Sequence, residues 1–401
     1  MDQHALGFNI GKVETSRVAR MLETASSRSL YKGAKSSFFS AARRLGLFQV
    51  SRYLRRNRKS LLILCYHGVS KSDEDLWKPS LYMDAATFRR RLATIRSFGL
   101  DVLPLGEALR QIEAGSLKHP AVAITFDDGW HDFYTTAWPI LREFNFPATV
   151  YQTTYYTYYN RPVFDTTCSY LLWKGMGKTV TDPGRIGLPI TVTLDSMAAV
   201  DETAKRLRFF ATESLLTGEE KDHALAVLAE QLGLNIKEIL RSRTLHLMNP
   251  AELAEVSRHD INIELHTHRH KLPADRKLFL EEIARNRELI RAATGITPEH
   301  FCYPNGGYRP ELTGWLREAG VKSATTCDPG LVSKGSDPML LPRVTDSNNV
   351  SQARFESWLA GVGVFSSSTQ RVYQPSIRAE IQTTSTVREL PAERADVSSV
   401  H

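Results

Sequence analysis

From Leu61 onward the chain alternates short apolar runs with stretches of helical period, and this rhythm restricts the available folds more than any other feature. "LLILCYHGV" leads into "DAATFRRRLATIRSFG", where Phe88, Leu92, Ile95 and Phe98 recur at helical spacing and stop at Gly99. "DVLPL", the helix "GEALRQIEAG", the strand "AVAITF", a helix around "YTTAWPILREFN" and "ATVYQTT" follow. After a break come helix "NPAELAEVSRHD", strand "INIELHTH", helix "RKLFLEEIARNRELIRAATG", strand "HFCYP" and helix "PELTGWLREAG". Strands "KSATT" and "LLPRV" and helix "QARFESWLAG" complete the series. Strands separated by helices of this length pair in parallel through right-handed crossovers. Seven or eight such strands suit a closed or nearly closed α/β barrel better than an open sheet, with the working residues at the C-terminal strand ends.

Three segments fall outside the rhythm. Residues 155–248, roughly, form a large helical insertion that opens with the aromatic cluster "YYTYYNRPVF" and carries a weak hairpin in "RIGLPITVTL". Its tyrosines either stack on sugar rings or pack the insertion onto the barrel. Residues 366–401 have few large apolar side chains and are expected to be disordered. Residues 1–60 carry 13 Lys/Arg against 3 Asp/Glu, a charge of +10, so the other 341 residues sum to 7 − 10 = −3. That basic extension, with Phe38, Phe39, Leu45, Leu47 and Phe48, either meets anionic lipid headgroups or packs on the domain as a solvated helix.

The charge distribution argues against nucleic acid as a partner, since the barrel itself is mildly acidic. No run approaches the ~20 apolar residues of a membrane span. "MDQHALGFNIGKVE" lacks the features of a secretory signal, so a cytoplasmic location is expected, with contact at the inner face of the membrane through the basic extension. Cys65, Cys168, Cys302 and Cys327 are scattered, without thiolate zinc spacing, and are expected to be reduced core residues.

Two stretches carry chemistry. In "AVAITFDDGW" a buried strand ends on Asp127 and Asp128, and Gly129 lets the chain turn at once, so the two acids can take different roles at one rim. In "IELHTHRHKLP" three histidines fall within five residues at another strand end. If the chain turns after His266, that residue and His270 converge on one ion while His268 faces elsewhere. Two imidazoles and the Asp128 carboxylate form a catalytic rather than a structural metal set, because a position remains for water. Asp127, beside the ion, is then placed to take a proton from that water, and a cation offsets the repulsion between the two acids.

"TFDDG", "HTHRH" and "YPNGGY" (Tyr303–Tyr308), in that order, resemble the polysaccharide deacetylases of the NodB-homology type, carbohydrate esterase family 4. "LCYHGV" and "FRRRLATIRSFGLDVLPLGEAL" are similar to that family's opening strand and helix, and the resemblance runs over about residues 61–361, the insertion excepted. It implies a distorted (β/α) barrel and metal-dependent removal of acetyl groups from N-acetylated sugars. It further implies Asp127 as general base and Asp128, His266 and His270 as ligands of a divalent ion. Zinc suits the set, and cobalt, nickel and manganese are compatible with it. Where many members carry "RPPYG", this chain has "CYPNG": Cys302 replaces the arginine and Asn305 the tyrosine. Tyr303, Pro304 and Asn305 are then the substrate-facing loop, with the Asn305 N–H available to an oxyanion. The arginine that orients the base must come from elsewhere, and Arg343 in "LLPRV" is the candidate, a structural ion pair being the other reading. No late "LxH" motif supplies the acid that protonates the leaving amine. His67 either takes that role or is a buried, hydrogen-bonded histidine.

The expected function is a metal-dependent hydrolase acting on N-acetylhexosamine units of an oligosaccharide, lipid-linked glycan or exopolysaccharide, a chitooligosaccharide deacetylase of the nodulation type being one specific form. Two alternatives stand beside it: hydrolysis of an O-acetyl ester or non-sugar amide on the same fold, and a glycan- or lipid-binding protein that keeps the metal site without turnover.

Overall fold

Every residue of β1 (Leu61–Tyr66), β2 (Ala121–Phe126) and β3 (Ala148–Gln152) is buried, as parallel strands covered on both faces require. In the computed structural model, residues 39, 41–48, 59–181, 186–188 and 191–365 are described. β4 (Ile261–Leu265), β5 (His300–Cys302), β6 (Ser323–Thr325) and β7 (Val344–Thr345) complete a parallel sheet in the order β6-β5-β4-β3-β2-β1-β7. The two-residue strand Asp101–Val102 lies off this path against β2.

The ring closes through one short segment. Leu341 exchanges backbone hydrogen bonds with β6, its N–H donating to the Ala324 carbonyl at 2.9 Å and its carbonyl accepting from Thr326 N–H at 2.9 Å. Three residues later Val344 and Thr345 pair with Leu64 and Cys65. The strand expected over the whole of "LLPRV" is therefore only a ladder at Val344–Thr345 with a separate bridge at Leu341. Pro342 between them has no N–H to donate.

Side-chain parity sorts the core. Leu62, Leu64, Tyr66, Val122, Ile124 and Phe126 face the helices, packing with Phe88, Leu92 and Ile95 of α1 (Ala85–Ser97). Leu61, Ile63, Ala121 and Ala123 belong to a second cluster with Tyr151, Cys302 and Leu341, and α2 (Leu105–Glu113) supplies Leu105, Ala108 and Ile112 to it. Side chains two apart share a face, so Cys65, Thr125 and Asp127 continue this second set toward the C-terminal rim. α3 (Trp138–Phe144) completes the layer before the insertion.

The segment between β3 and β4 carries its own core. α4 (Phe164–Lys174), α5 (Met197–Glu213) and α6 (Gly218–Gln231) bury Phe164, Leu171, Leu172, Leu207, Leu225 and Leu228 against one another. α6 starts on a reciprocal cap between Thr217 and Glu220. The hairpin pairs Val192–Thr193 with Thr179–Val180, upstream of the stretch in which both strands were expected. After it, α7 (Pro250–Val256), α8 (Arg276–Thr294), α9 (Pro310–Glu318) and α10 (Gln352–Leu359) resume the outer layer. Of the basic extension, Phe39, Ala42 and Phe48 are buried in the barrel's outer core and Arg43 pairs with Glu356, while Leu45 is 73% exposed. Most of residues 1–60, and all of 366–401, lie outside the described residues.

Candidate metal centre and active site

The β2 strand delivers two acids and then breaks. Asp127 N–H still donates to the Tyr66 carbonyl (2.9 Å), continuing the β1 ladder, so its side chain keeps the interior parity. Asp128 adopts φ 69° and Gly129 φ 81°, which swings the second carboxylate out of that parity. Glycine is required at 129 for a further reason: a Cβ there would lie 1.8 Å from Gln152 Oε1. The left-handed backbone recurs at Thr267 (63°) and His270 (56°), so the loop after β4 folds back upon itself.

That fold-back brings the expected ligands together. Asp128 Oδ1 lies 3.4 Å from His266 Nε2 and 3.3 Å from His270 Nε2, and Asp128 Oδ2 accepts from Trp130 Nε1–H at 2.9 Å. His266 Nδ1 donates to the Cys302 carbonyl at 2.8 Å, which leaves Nε2 facing Asp128. Burial disfavours its charged form, but Cys302 and the Asp128 hydrogen bond push this imidazole well above its ordinary value, so a cation bound there displaces a proton. Burial lowers His270 to about 4, which keeps its imidazole neutral. One carboxylate oxygen and two imidazole nitrogens, all within 4.8 Å of one another, are a donor set that fits a divalent cation. His268 turns away, with Nδ1 2.9 Å from Thr154 Oγ1.

Asp127 is held differently. Its two oxygens receive both Nη groups of Arg343, at 2.7 and 2.8 Å, in a fork with both side chains almost wholly buried. Burial alone would raise its pKa, but the charge and hydrogen bonds of Arg343, with His67 beyond, hold the carboxyl well below the usual range. Burial also opposes ionisation of Asp128, and the His266 hydrogen bond and His270 hold that carboxyl low as well. Arg343 is anchored in turn by the Thr326 carbonyl (2.9 Å) and Thr125 Oγ1 (3.2 Å). His67 Nε2 stands 3.9 Å from Asp127 Oδ2, and its buried Nδ1 has no partner among the described residues.

The loop after β5 divides. Tyr303, expected to face substrate, is fully buried, with its hydroxyl donating to the Met339 carbonyl (3.1 Å) and its ring against Phe301 and Tyr308. It shares the outward parity of Phe301, and so its side chain belongs to the outer core. Pro304 is buried too; Asn305, at φ 58°, is the exposed member of the three. Part of the tyrosine cluster packs the insertion onto the barrel, Tyr158 Oη donating to the Leu289 carbonyl (2.7 Å), while Tyr158 and Tyr159 remain more than a third exposed. Tyr155 packs between Tyr159 and His268, at 4.8 and 5.7 Å.

Sequence spacing did not reveal the thiols. Cys65 Sγ lies 3.5 Å and Cys302 Sγ 3.4 Å from Asp127 Oδ2, and Cys302 and Cys327 lie 3.0 and 3.6 Å from Arg343 Nη2. Three of the four cysteines expected to be plain core residues thus line the Asp127–Arg343 pair. The parity of Cys65 with Leu61 and Ile63 was the available signal.

The family model described as polysaccharide deacetylase matches residues 114–182 and 197–324. A poly-β-1,6-N-acetyl-D-glucosamine N-deacetylase of Escherichia coli O157:H7 is 23% identical over 334 residues, 79% of this chain and 42% of the relative. Its counterpart in E. coli strain K12 is 22% identical over 315 residues, 77% of this chain and 39% of that one. The chain therefore spans less than half the length of either relative. Among solved structures, the Streptococcus pyogenes deacetylase PplD in complex with acetate aligns with a TM-score of 0.48 and 16% identity, covering 73% of this chain and 94% of that one.

Proposed function

The chain belongs to the polysaccharide deacetylase family, and on that premise we propose that it hydrolyses the N-acetyl amide of N-acetylhexosamine units in a glycan. One observation carries the reading: a donor set of Asp128, His266 and His270 lies beside a second carboxylate, Asp127, kept ionised by Arg343. A divalent cation held by the three donors supplies Lewis acidity toward a water and the acetamide carbonyl. We take zinc as the resident ion, because an oxygen and two imidazoles suit it.

The chain's own groups do the rest. Asp127 accepts the proton of the attacking water at a carboxylate oxygen. Arg343 makes it a weak base that stays charged across the working pH range, and fixes the direction of its lone pairs. Asn305, at the turn beyond β5, offers its N–H to the developing oxyanion. His67, within reach of Asp127 Oδ2, donates a proton to the departing amine. The exposed faces of Tyr158 and Tyr159 supply stacking surface for neighbouring sugar rings. The charge of +10 in residues 1–60 supports contact with an anionic membrane surface.

The curated relatives make β-1,6-linked poly-N-acetylglucosamine the first substrate to try, and β-1,4-linked chitooligosaccharides the second. Purified full chain with Zn²⁺ is incubated with both series and with an O-acetylated glycan, and products are read by mass. Loss of single acetyl groups from an N-acetylated series is expected. Acetate release from the O-acetylated glycan alone, or from none, overturns the reading.

A further inference from the structure

The thiols around Asp127 are unequal. Cys65 and Cys302 are fully buried, whereas Cys327, two residues beyond the end of β6, is partly exposed. One guanidinium nitrogen, Arg343 Nη2, serves Asp127 Oδ2 (2.8 Å), Cys302 Sγ (3.0 Å) and Cys327 Sγ (3.6 Å). The Cys65 thiol lies 3.5 Å from Asp127 Oδ2. The cluster does not suit a second cation, because the Arg343 guanidinium already places a positive charge among its donors.

We propose that Cys327 is a reactive thiolate, a modification site for small peroxides and soft electrophiles set into the wall of the Asp127–Arg343 pair. Its geometry supports this: the sulfur is partly exposed and 3.6 Å from a guanidinium nitrogen. The neighbouring Cys65 thiol and the Arg343 charge, against burial, hold the Cys327 thiol below the usual thiol range. The Cys327 neighbour and burial push Cys65 up, and burial pushes Cys302 up. A partly exposed sulfur beside a cation is the environment that favours thiolate chemistry, and fully buried neighbours are inert by comparison.

With hydrogen peroxide, the Cys327 sulfur pair forms an S–O bond as the O–O bond breaks. The departing hydroxide takes a proton to become water, and sulfur is oxidised to the sulfenic acid while peroxide is reduced. With iodoacetamide, an S–C bond forms and iodide leaves. Added atoms have little room: a Cβ placed on Gly306 would already lie 2.8 Å from Cys327 Sγ, so the loop bearing Asn305 is the neighbour that must yield. Modification also removes the anion that shares Arg343 with Asp127. A fall in turnover after modification is the consequence, and that part alone rests on the deacetylase reading.

The test reads alkylation by mass and needs no turnover, so its failure is distinct from failure of the proposed function. Folded full chain is pulsed with iodoacetamide between pH 6.5 and 8, digested, and the modified fraction of each cysteine is quantified. An ordinary thiol of pKa about 8.5 slows about 20-fold over that interval. Cys327 is expected to slow less than about 3-fold and to lead the other three cysteines at pH 6.5. In Cys65→Ala the pH dependence of Cys327 should steepen; if that variant does not fold, the wild-type profile decides alone. Steeper slowing of wild-type Cys327, about 3-fold or more, its failure to react, or an unchanged slope in folded Cys65→Ala overturns the proposal.

Discussion

Arg343→Met is the sharpest perturbation of the site, because it removes a charge and leaves most of the volume. Arg343 and Asp127 are both almost wholly buried and joined by two hydrogen bonds of 2.7 and 2.8 Å. Two unit charges about 4 Å apart attract by about 4 kcal/mol at an effective dielectric constant near 20. Breaking a buried pair from one side costs about 3–5 kcal/mol, since the remaining charge is left desolvated. In wild type the folded pKa of Asp127 is depressed, so its contribution to stability is present above the unfolded value of about 3.9 and is lost as pH falls below it. Without Arg343, burial dominates and the folded pKa rises above the unfolded one, so the variant loses stability as pH rises. The deficit, measured by urea unfolding of metal-replete protein, should therefore be about 3–5 kcal/mol at pH 7.5 and smaller at pH 4.5. The acid limb of kcat/KM should move upward by at least about one pH unit, since an uncompensated buried carboxyl holds its proton longer. Arg343→Met/Asp127→Asn should be more stable than Arg343→Met alone at pH 7.5, because no unpaired charge remains. A single variant within about 1 kcal/mol of wild type, with an unmoved acid limb, refutes the reasoning.

Further outcomes follow from the same geometry. His266→Ala removes one of three donors and should weaken Zn²⁺ binding at least about 10-fold by titration calorimetry, while His268→Gln retains it; equal losses in both would count against the assigned ligand set. His67→Asn should keep its metal and lose about 10²- to 10⁴-fold in kcat, the usual contribution of a positioned acid or base. Retention of more than a third of the rate would remove His67 from the chemistry. Glu264, buried beneath the Glu299 and His300 N–H groups that it accepts at 2.7 Å, has its pKa pushed up to about 8 by burial. Between about pH 4.3 and 8 the folded chain thus keeps a proton that the unfolded chain has lost, and stability falls as pH rises. Glu264→Gln should flatten that slope in urea unfolding, and parallel slopes in the two proteins would show that Glu264 ionises freely.

The parts of the molecule legible in the sequence were those written locally. "LLILCY" and "AVAITF" announce strands buried on both faces, and "DDG" and "HTHRH" each place their donors within a few residues of a strand end, where one tight turn completes the geometry. What escaped depends on closure of the ring. Cys65 and Cys302 come from β1 and β5 and Cys327 from just beyond β6, and no spacing in the chain marks their convergence on the Asp127–Arg343 pair. Tyr303 was misread for a different reason: proximity to the motif outweighed parity, although Phe301 two residues earlier already pointed that face toward the helices. The short ladder of β7 escaped because Pro342 interrupts a run whose composition is otherwise that of a strand.

Synthesis order gives the β7 segment a particular weight. The guanidinium that neutralises Asp127 is 216 residues downstream of it, on the same few residues that stitch the first strand to the sixth. A nascent chain must therefore carry its acid without a counter-ion until almost the whole barrel has left the ribosome, and a product cut short before Arg343 would lose its last stave and its charge partner in one event. Closing the container and neutralising Asp127 are therefore the same step.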